Sequence, residues 1–299
     1  RMSCMNEMLN GRIIKGIGGF YYVETAKELY SCKARGVFRK KRITPLVGDQ
    51  VQIRLDADGT GYIEEILPRK NFLTRPPVAN IDQLIITVAV AEPEPDLWLV
   101  DRLTILALWN EMTPVICFNK GDLLSAEKRQ ALEAIYQQAG FKTLVCSTLE
   151  GWGIDELKEA LKGKISVLAG NSGVGKSSLM NLLGGSWAQA TGSVSEKPGR
   201  GRHTTRHVEL FALDENTLVA DTPGFSSLQL PEDLTREMLC RLFPEMLPYL
   251  SSCRFATCMH ESEPDCAVKA AVAQGKISAS RYEHYREFLK EVIEQERRY

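Results

Sequence analysis

No stretch of this chain approaches the roughly 18 uninterrupted apolar residues that would signal a membrane-crossing helix. Residues 1–10 also lack the apolar segment of a secretory leader. A soluble, cytoplasmic, monomeric protein with no membrane partner is the expectation. An excess of one charge sign is missing as well, because the formal net charge is only −1. That near-balance hides an asymmetry: residues 1–78 carry 14 Lys and Arg against 8 Asp and Glu, while the remainder carries 23 against 30. A basic front unit is joined to an acidic body. Paired cysteines are scarce too. Cys4, Cys32, Cys117, Cys146 and Cys240 stand singly, which fits reduced core thiols better than disulfides. What is present is 44% hydrophobic residues in 299 positions, enough for two or three packed units and too much for a disordered or fibrous chain.

Three textures follow one another. From Gly11 to about Leu67, short β-rich segments at 12–14, 20–24, 29–34, 50–55 and 62–66 alternate with turn residues, the pattern of a small closed barrel of the OB type. Arg39, Lys40, Lys41 and Arg42 are expected in a loop before Pro45. With Lys33 and Arg35 they form either a patch that tracks a phosphate backbone or a solvated charged loop. The segment 69–77, with Pro76 and Pro77, reads as a linker. Strands and helices then alternate: strands at 82–90, 115–118, 143–146 and 165–169, helices at 96–111, 125–139, 154–161 and from about Lys176. This is the α/β signature of a mostly parallel sheet covered on both faces. Beyond Leu228 the text is helical, and Tyr282, Tyr285, Phe288, Leu289 and Val292 mark one apolar face of a last helix over 281–298. The domain reading is 1–70, 71–228 and 229–299.

Gly170-Asn171-Ser172-Gly173-Val174-Gly175-Lys176-Ser177 matches G-x-x-x-x-G-K-[ST] between a strand and a helix. Backbone amides of such a loop close around a β-phosphate, and its glycines permit that approach. Lys176 is expected to bridge the β- and γ-phosphates, Ser177 to ligate Mg²⁺, and Ser178 to complete the contact set. Asn119-Lys120-Gly121-Asp122 follows a strand, where open α/β sheets bind ligands. The Asp122 carboxylate can accept from both the ring N–H and the exocyclic amine of guanine, a donor pair that adenine lacks. Asn119 would hold neighbouring loops, the Lys120 stem would cover the purine, and Ser147, in Cys146-Ser147-Thr148, is the candidate for a second base loop. GTP is therefore the expected nucleotide.

Asp221-Thr222-Pro223-Gly224 ends a further strand at 217–220. Asp221 would hold Mg²⁺ through water and the Gly224 amide would meet the γ-phosphate. Between the two phosphate motifs, residues 191–206 are rich in Gly, Ser, Lys and Arg, as in a switch segment that orders around γ-phosphate and Mg²⁺. Thr205 is the first candidate for its Mg²⁺ ligand and Thr204 the second. The chain order, base motif before phosphate loop before Asp221, is that of an ordinary Ras-like domain cut after its second switch and rejoined at its old ends. Ras-type enzymes position the attacking water with a Gln that follows D-x-x-G. Phe225 stands there and cannot do so. His203 either orients that water or is an ordinary loop histidine; Arg200, Arg202 and Arg206 rank lower as catalytic cations. The expected catalytic set is His203, Lys176 and Thr205.

Cys253-x4-Cys258-x-His260-x5-Cys266 offers three thiolates and an imidazole, the ligand set of a closed structural site for which zinc is the expected ion and iron the chemical alternative; the ion would anchor the helical tail onto a region with little core of its own. The combination resembles the bacterial ribosome small-subunit-dependent GTPases, the circularly permuted YjeQ/EngC/YloQ class. The resemblance rests on the barrel, on Arg75-Pro76-Pro77-Val78-Ala79-Asn80-Ile81-Asp82-Gln83, on the permuted motifs, on Gly201-Arg202-His203-Thr204-Thr205, and on the zinc constellation. It implies a permuted Ras-like P-loop domain between an OB-type barrel and a zinc-binding helical domain. It further implies a GTPase that binds the small ribosomal subunit and its 16S rRNA late in maturation, is stimulated there, and leaves after hydrolysis. An RNA-binding scaffold with GTP as affinity regulator is the alternative. A permuted GTPase directed to the large subunit or to tRNA is a third reading, disfavoured by the barrel and the zinc cluster.

Overall fold

The computed structural model describes residues 7–40, 42–56, 59–74, 76–185, 208–221 and 229–298. The chain forms two compact units: Arg1–Asp82 with Leu161–Leu168 and Leu183–Pro223, and Gln83–Ala160 with Ala169–Leu182 and Gly224–Tyr299.

In the first unit, strands β1 (Glu7–Ile17), β2 (Phe20–Thr25), β3 (Leu29–Ala34), β4 (Gln50–Leu55) and β5 (Gly61–Ile66) pair in the circular order β1-β2-β3-β5-β4-β1. Every pairing is antiparallel except β3 with β5. This closed barrel of the OB type removes its own sheet edges. Ile13, Val23, Cys32, Val51, Ile53 and Ile63 fill it at no exposure. Asp49, fully buried, accepts from Arg69 Nε at 2.7 Å and Nη2 at 2.8 Å and from the Leu46 amide, so the barrel exit is fixed by a bidentate ion pair.

The basic segment departs from expectation. Residues 36–40 form a short helix α1 (Gly36–Lys40) because Phe38 turns inward and is nearly buried. The patch is also less cationic than its sequence suggests, since Arg35 pairs with Glu64. The expected linker is likewise structured, with β6 (Phe72–Leu73) and β7 (Val78–Ala79) forming a two-stranded ladder. Three more strands belong to this unit. β11 (Ile165–Ala169) runs parallel to β13 (Thr217–Asp221), and β12 (Glu209–Asp214), absent from the sequence reading, lies antiparallel to β13 and meets β1 through Lys15 and Glu209.

In the second unit, β8 (Gln83–Ala89), β9 (Thr113–Asn119) and β10 (Lys142–Val145) are parallel, in the order β10-β9-β8. The buried, β-branched runs of β8 and β9 are what a strand covered on both faces requires. Helices α2 (Leu97–Trp109), α3 (Ala126–Gln138), α4 (Ile154–Leu161) and α5 (Lys176–Leu183) accompany them. Asp96 caps α2 and Ser125 caps α3 through bonds to the third amide onward. Among the described residues no helix is long and apolar enough to cross a membrane.

The C-terminal segment overturns one expectation. It is not short of core: Leu234, Leu239, Phe243 and Met246 pack with Val268 and Ala271 of α6 (Ala267–Ala273) and with Tyr285, Phe288, Leu289 and Val292 of α7 (Ala279–Glu296). Ile105 and Trp109 of α2 join the same cluster. Arg102 of α2 adds a bidentate pair to Glu291, at 2.7 and 2.6 Å, and its guanidinium lies 4.9 Å from the Trp98 ring and 5.7 Å from that of Phe288.

Candidate nucleotide site and metal centre

Asn119, the last residue of β9, is fully buried and joins three loops. Its Nδ2 donates to the Val174 carbonyl at 2.8 Å and to Thr148 Oγ1 at 3.4 Å, while its Oδ1 accepts from the Thr148 amide at 3.2 Å and from the Cys146 thiol at 3.5 Å. The base motif, the loop after β10 and the phosphate loop therefore form one constellation, although 55 residues separate Asn119 from Val174. The glycines follow from this closeness. A Cβ on Gly175 would sit 2.2 Å from Asn119 Nδ2, and one on Gly170 would sit 2.1 Å from the Thr87 carbonyl.

Lys176, the first residue of α5, donates its Nζ to the carbonyls of Gly170 and Asn171, both at 2.7 Å. The ammonium is thus folded back over its own loop, at a helix start whose free amides favour an anion. Asn171 Nδ2 donates to Asp96 Oδ2 at 3.0 Å, so the carboxylate that caps α2 also holds the phosphate loop. Ser172, Gly173, Ser177 and Ser178 are exposed around this loop, and Val174 is buried beneath it. On the base side, Asp122 lies in a 3₁₀ turn (Gly121–Leu123) entered through Lys120 in the left-handed region, φ 60°. Ser147 Oγ donates to Asp122 Oδ1, and Lys120 Nζ donates to the Glu92 carbonyl.

Every base-loop and phosphate-loop candidate named from the sequence thus falls in this constellation. The Asp221 backbone ends β13, as expected. Its side chain, together with His203, Thr204, Thr205, Gly224, Phe225, Arg200, Arg202 and Arg206, lies outside the described residues. Thr148 belongs to the Cys146-Ser147-Thr148 run named from the sequence. Asp96 reads from the sequence only as the start of a helix; its contact with the phosphate loop goes through the Asn171 side-chain amide, which no short motif records.

The cysteine–histidine constellation comes together as one cluster, with its four donor atoms within 4.8 Å of one another. His260 Nδ1 lies 3.5 Å from Cys253 Sγ and 3.4 Å from Cys266 Sγ, and those two sulfurs are 3.9 Å apart. A tetrahedral zinc ion with ordinary bond lengths requires edges of about 3.6 Å (N to S) and about 3.8 Å (S to S). The donor set fits. Burial pushes the Cys258 thiol up to about 12 and lowers the His260 pKa, so a divalent cation is what would make the thiolate form favourable here. The loop is fixed from within and from outside: Glu263 accepts from the Met259 and Glu261 amides, while Tyr282 and Tyr285 donate to the carbonyls of His260 and Met259 and the Lys269 amide donates to Cys266 Sγ.

A base motif, then a phosphate loop, then the Asp221 strand end, in that chain order, defines a circularly permuted P-loop GTPase carrying an OB-type barrel and a C-terminal metal-ligand cluster. Family models for the RsgA GTPase and the RsgA N-terminal domain match residues 66–231 and 10–63. The chain belongs to the RsgA GTPase family and is a GTP-hydrolysing enzyme. It is 48% identical to a protein of Caldanaerobacter subterraneus subsp. tengcongensis over 98% of both chains, and 46% identical to one of Bacillus anthracis over 98% of this chain and all of that one. Both relatives are named small ribosomal subunit biogenesis GTPase RsgA. Among solved structures it resembles YjeQ from Thermotoga maritima (TM-score 0.82, 39% identity, 96% of this chain and 99% of that one). It also resembles YloQ, a circularly permuted GTPase (TM-score 0.80, 38% identity, 99% and 98%).

Proposed function

We propose that this enzyme binds the small ribosomal subunit late in its maturation, touches 16S rRNA, and hydrolyses GTP to GDP and phosphate with turnover stimulated by the subunit. It works as a cytoplasmic monomer. The observation that carries this reading is likeness over nearly the whole chain to proteins named for small-subunit biogenesis. The Asn119 junction supports the residue roles. Asp122 selects guanine, with Asn119, Lys120 and Ser147 shaping the base loop. Residues Gly170 to Ser178 would take the triphosphate, Lys176 would offset charge on the β- and γ-phosphates, and Ser177 and Thr205 would ligate Mg²⁺. Asp221 would hold that ion through a water molecule, the Gly224 amide would meet the γ-phosphate, and His203 would orient the attacking water. Domain limits of 1–70, 71–228 and 229–299 belong to the same reading. With Phe225 where Ras-type enzymes place Gln, intrinsic turnover should be slow, and purified small subunits should raise kcat by at least tenfold while large subunits do not. Tight subunit binding without stimulation would instead favour the scaffold reading.

The cluster at Cys253, Cys258, His260 and Cys266 holds zinc in this proposal, in a structural role, because four protein ligands leave no open position. Metal analysis should return one zinc per chain, released by a mercurial reagent. The core around α6 and α7 makes the damage local: Cys258→Ser should expose residues 253–266 to protease while far-UV helix content stays within about a tenth of wild type. Global loss of helix would show that the metal, not the apolar cluster, holds this region.

A further inference from the structure

The turn that carries Asp122 is gripped from two sides by residues outside any nucleotide motif. Arg129, on the first turn of α3, donates Nη1 to the Gly121 carbonyl at 2.6 Å and to the Leu124 carbonyl at 3.2 Å. One guanidinium nitrogen therefore ties both ends of the 3₁₀ turn. The same guanidinium lies 5.1 Å from the centre of the Trp152 ring, within cation–π range. The indole in turn packs against Gly121 so closely that a Cβ there would come within 2.4 Å of its Cη2. Trp152 also belongs to the second base loop: its carbonyl accepts from the Ser147 amide at 3.0 Å, and its Nε1 donates to Glu150 Oε2 at 2.7 Å. Ser147 is the residue whose hydroxyl bonds Asp122. The path from Arg129 through Trp152 to Ser147 and back to Asp122 is closed.

We propose that Arg129 and Trp152 form a clamp that sets the orientation of the Asp122 carboxylate and thereby the discrimination between guanine and bases lacking its 2-amino group. The proposal rests on the reading of Asp122 as base selector. A carboxylate accepts from N1–H and from the exocyclic amine together only when its plane coincides with that of the base. A modest rotation of the turn keeps the first bond and stretches the second. Arg129 and Trp152 are positioning residues, since neither needs to touch the nucleotide.

The test compares GDP with IDP, which lacks only the 2-amino group, by competition binding to the full chain. Arg129→Met keeps the aliphatic stem and removes the donor. Its GDP-to-IDP preference should contract by about fivefold to tenfold, the share of one weakened hydrogen bond to a charged acceptor. Affinity for IDP should change by less than about twofold. Trp152→Leu should do the same, and Arg129→Lys, whose ammonium has three donors but no planar face to lie on the indole, should contract the preference less than Arg129→Met does. Should Arg129→Met fail to fold, the Trp152→Leu variant carries the test. A merely structural role would weaken both nucleotides alike, and an unchanged ratio in folded variants overturns the clamp. Asp122→Asn is run alongside. If it leaves base preference unaltered, the reading of Asp122 fails; if it alters preference while the clamp variants do not, only the clamp fails.

Discussion

Asp122→Asn should weaken GTP binding by two to four orders of magnitude, about 3–5 kcal/mol, and confer binding of xanthosine triphosphate. The wild-type carboxylate presents two acceptors to the two donors of guanine. The amide presents one acceptor and one donor, so its NH₂ opposes a guanine donor and leaves it unsatisfied in a partly enclosed site. Xanthine replaces the 2-amino group by a carbonyl, which that NH₂ can meet. The substitution leaves the protein's own bonds intact, because the amide oxygen still accepts from Ser147 Oγ. Arg129, Trp152 and the Gly121 to Cys146 backbone bond do not involve the side chain. Thermal stability should therefore stay within about 0.5 kcal/mol of wild type. Competition binding with GTP, ATP and xanthosine triphosphate reads the outcome. A loss of less than tenfold for GTP would remove Asp122 from base recognition.

How much of this was written in the sequence differs by element. The barrel strands at 20–25, 29–34, 50–55 and 61–66 were legible to within a residue, because Gly, Pro and Asp turns bound alternating segments. The two nucleotide motifs were legible because strand, glycine and polar residue types recur at fixed spacing. β12 was not: Leu210 and Phe211 are adjacent and both buried, so no alternation marks residues 209–214 as a strand. α1 was missed because four basic residues outweighed Val37 and Phe38, although one inward phenylalanine was enough to fold the segment as a helical turn. Arg129 follows Glu127 and Lys128 in a charged run that carries no motif, and only the approach of the turn at Gly121 gives its guanidinium two carbonyls. The tail core was underestimated because Leu234 and Phe243 lie in the connections between short helical segments and Met246 in a three-residue 3₁₀ turn, so no periodic stripe marks them. Their partners are far away on α2 and α7.

Arg281 is the residue whose loss should cost the fold most. It occupies the apolar face of α7, one turn before Tyr285, yet it is 1% exposed. Its Nη1 donates to Asp101 Oδ1 of α2 at 2.5 Å, and its Nε and Nη2 donate to the Glu245 carboxylate at 2.5 and 3.3 Å. The rings of Tyr136, Phe141 and Phe243 surround the guanidinium with their centres at 5.1–5.4 Å. Burial alone would lower its pKa, but the two carboxylates outweigh burial and the net direction is upward, so the cation persists. Arg281→Met keeps much of the volume and removes the charge. It strips both carboxylates of their cation among aromatic rings, Asp101 keeping the bond from His284 Nδ1 to its Oδ2 at 2.6 Å and the Tyr136 hydroxyl beside it. An uncompensated buried charge of this kind costs about 3–5 kcal/mol. The transition that melts the C-terminal segment should shift down accordingly in denaturant, and α7 should lose its hold on α2. The triple variant Arg281→Met, Asp101→Asn, Glu245→Gln separates two explanations. If the cost is the stranded carboxylates, neutralising them should restore more than half of the lost stability. If it is the lost stacking of the guanidinium on three rings, the triple variant should be no better than the single one. Recovery is the expected result, because three aromatic faces can pack a methionine but cannot solvate two carboxylates.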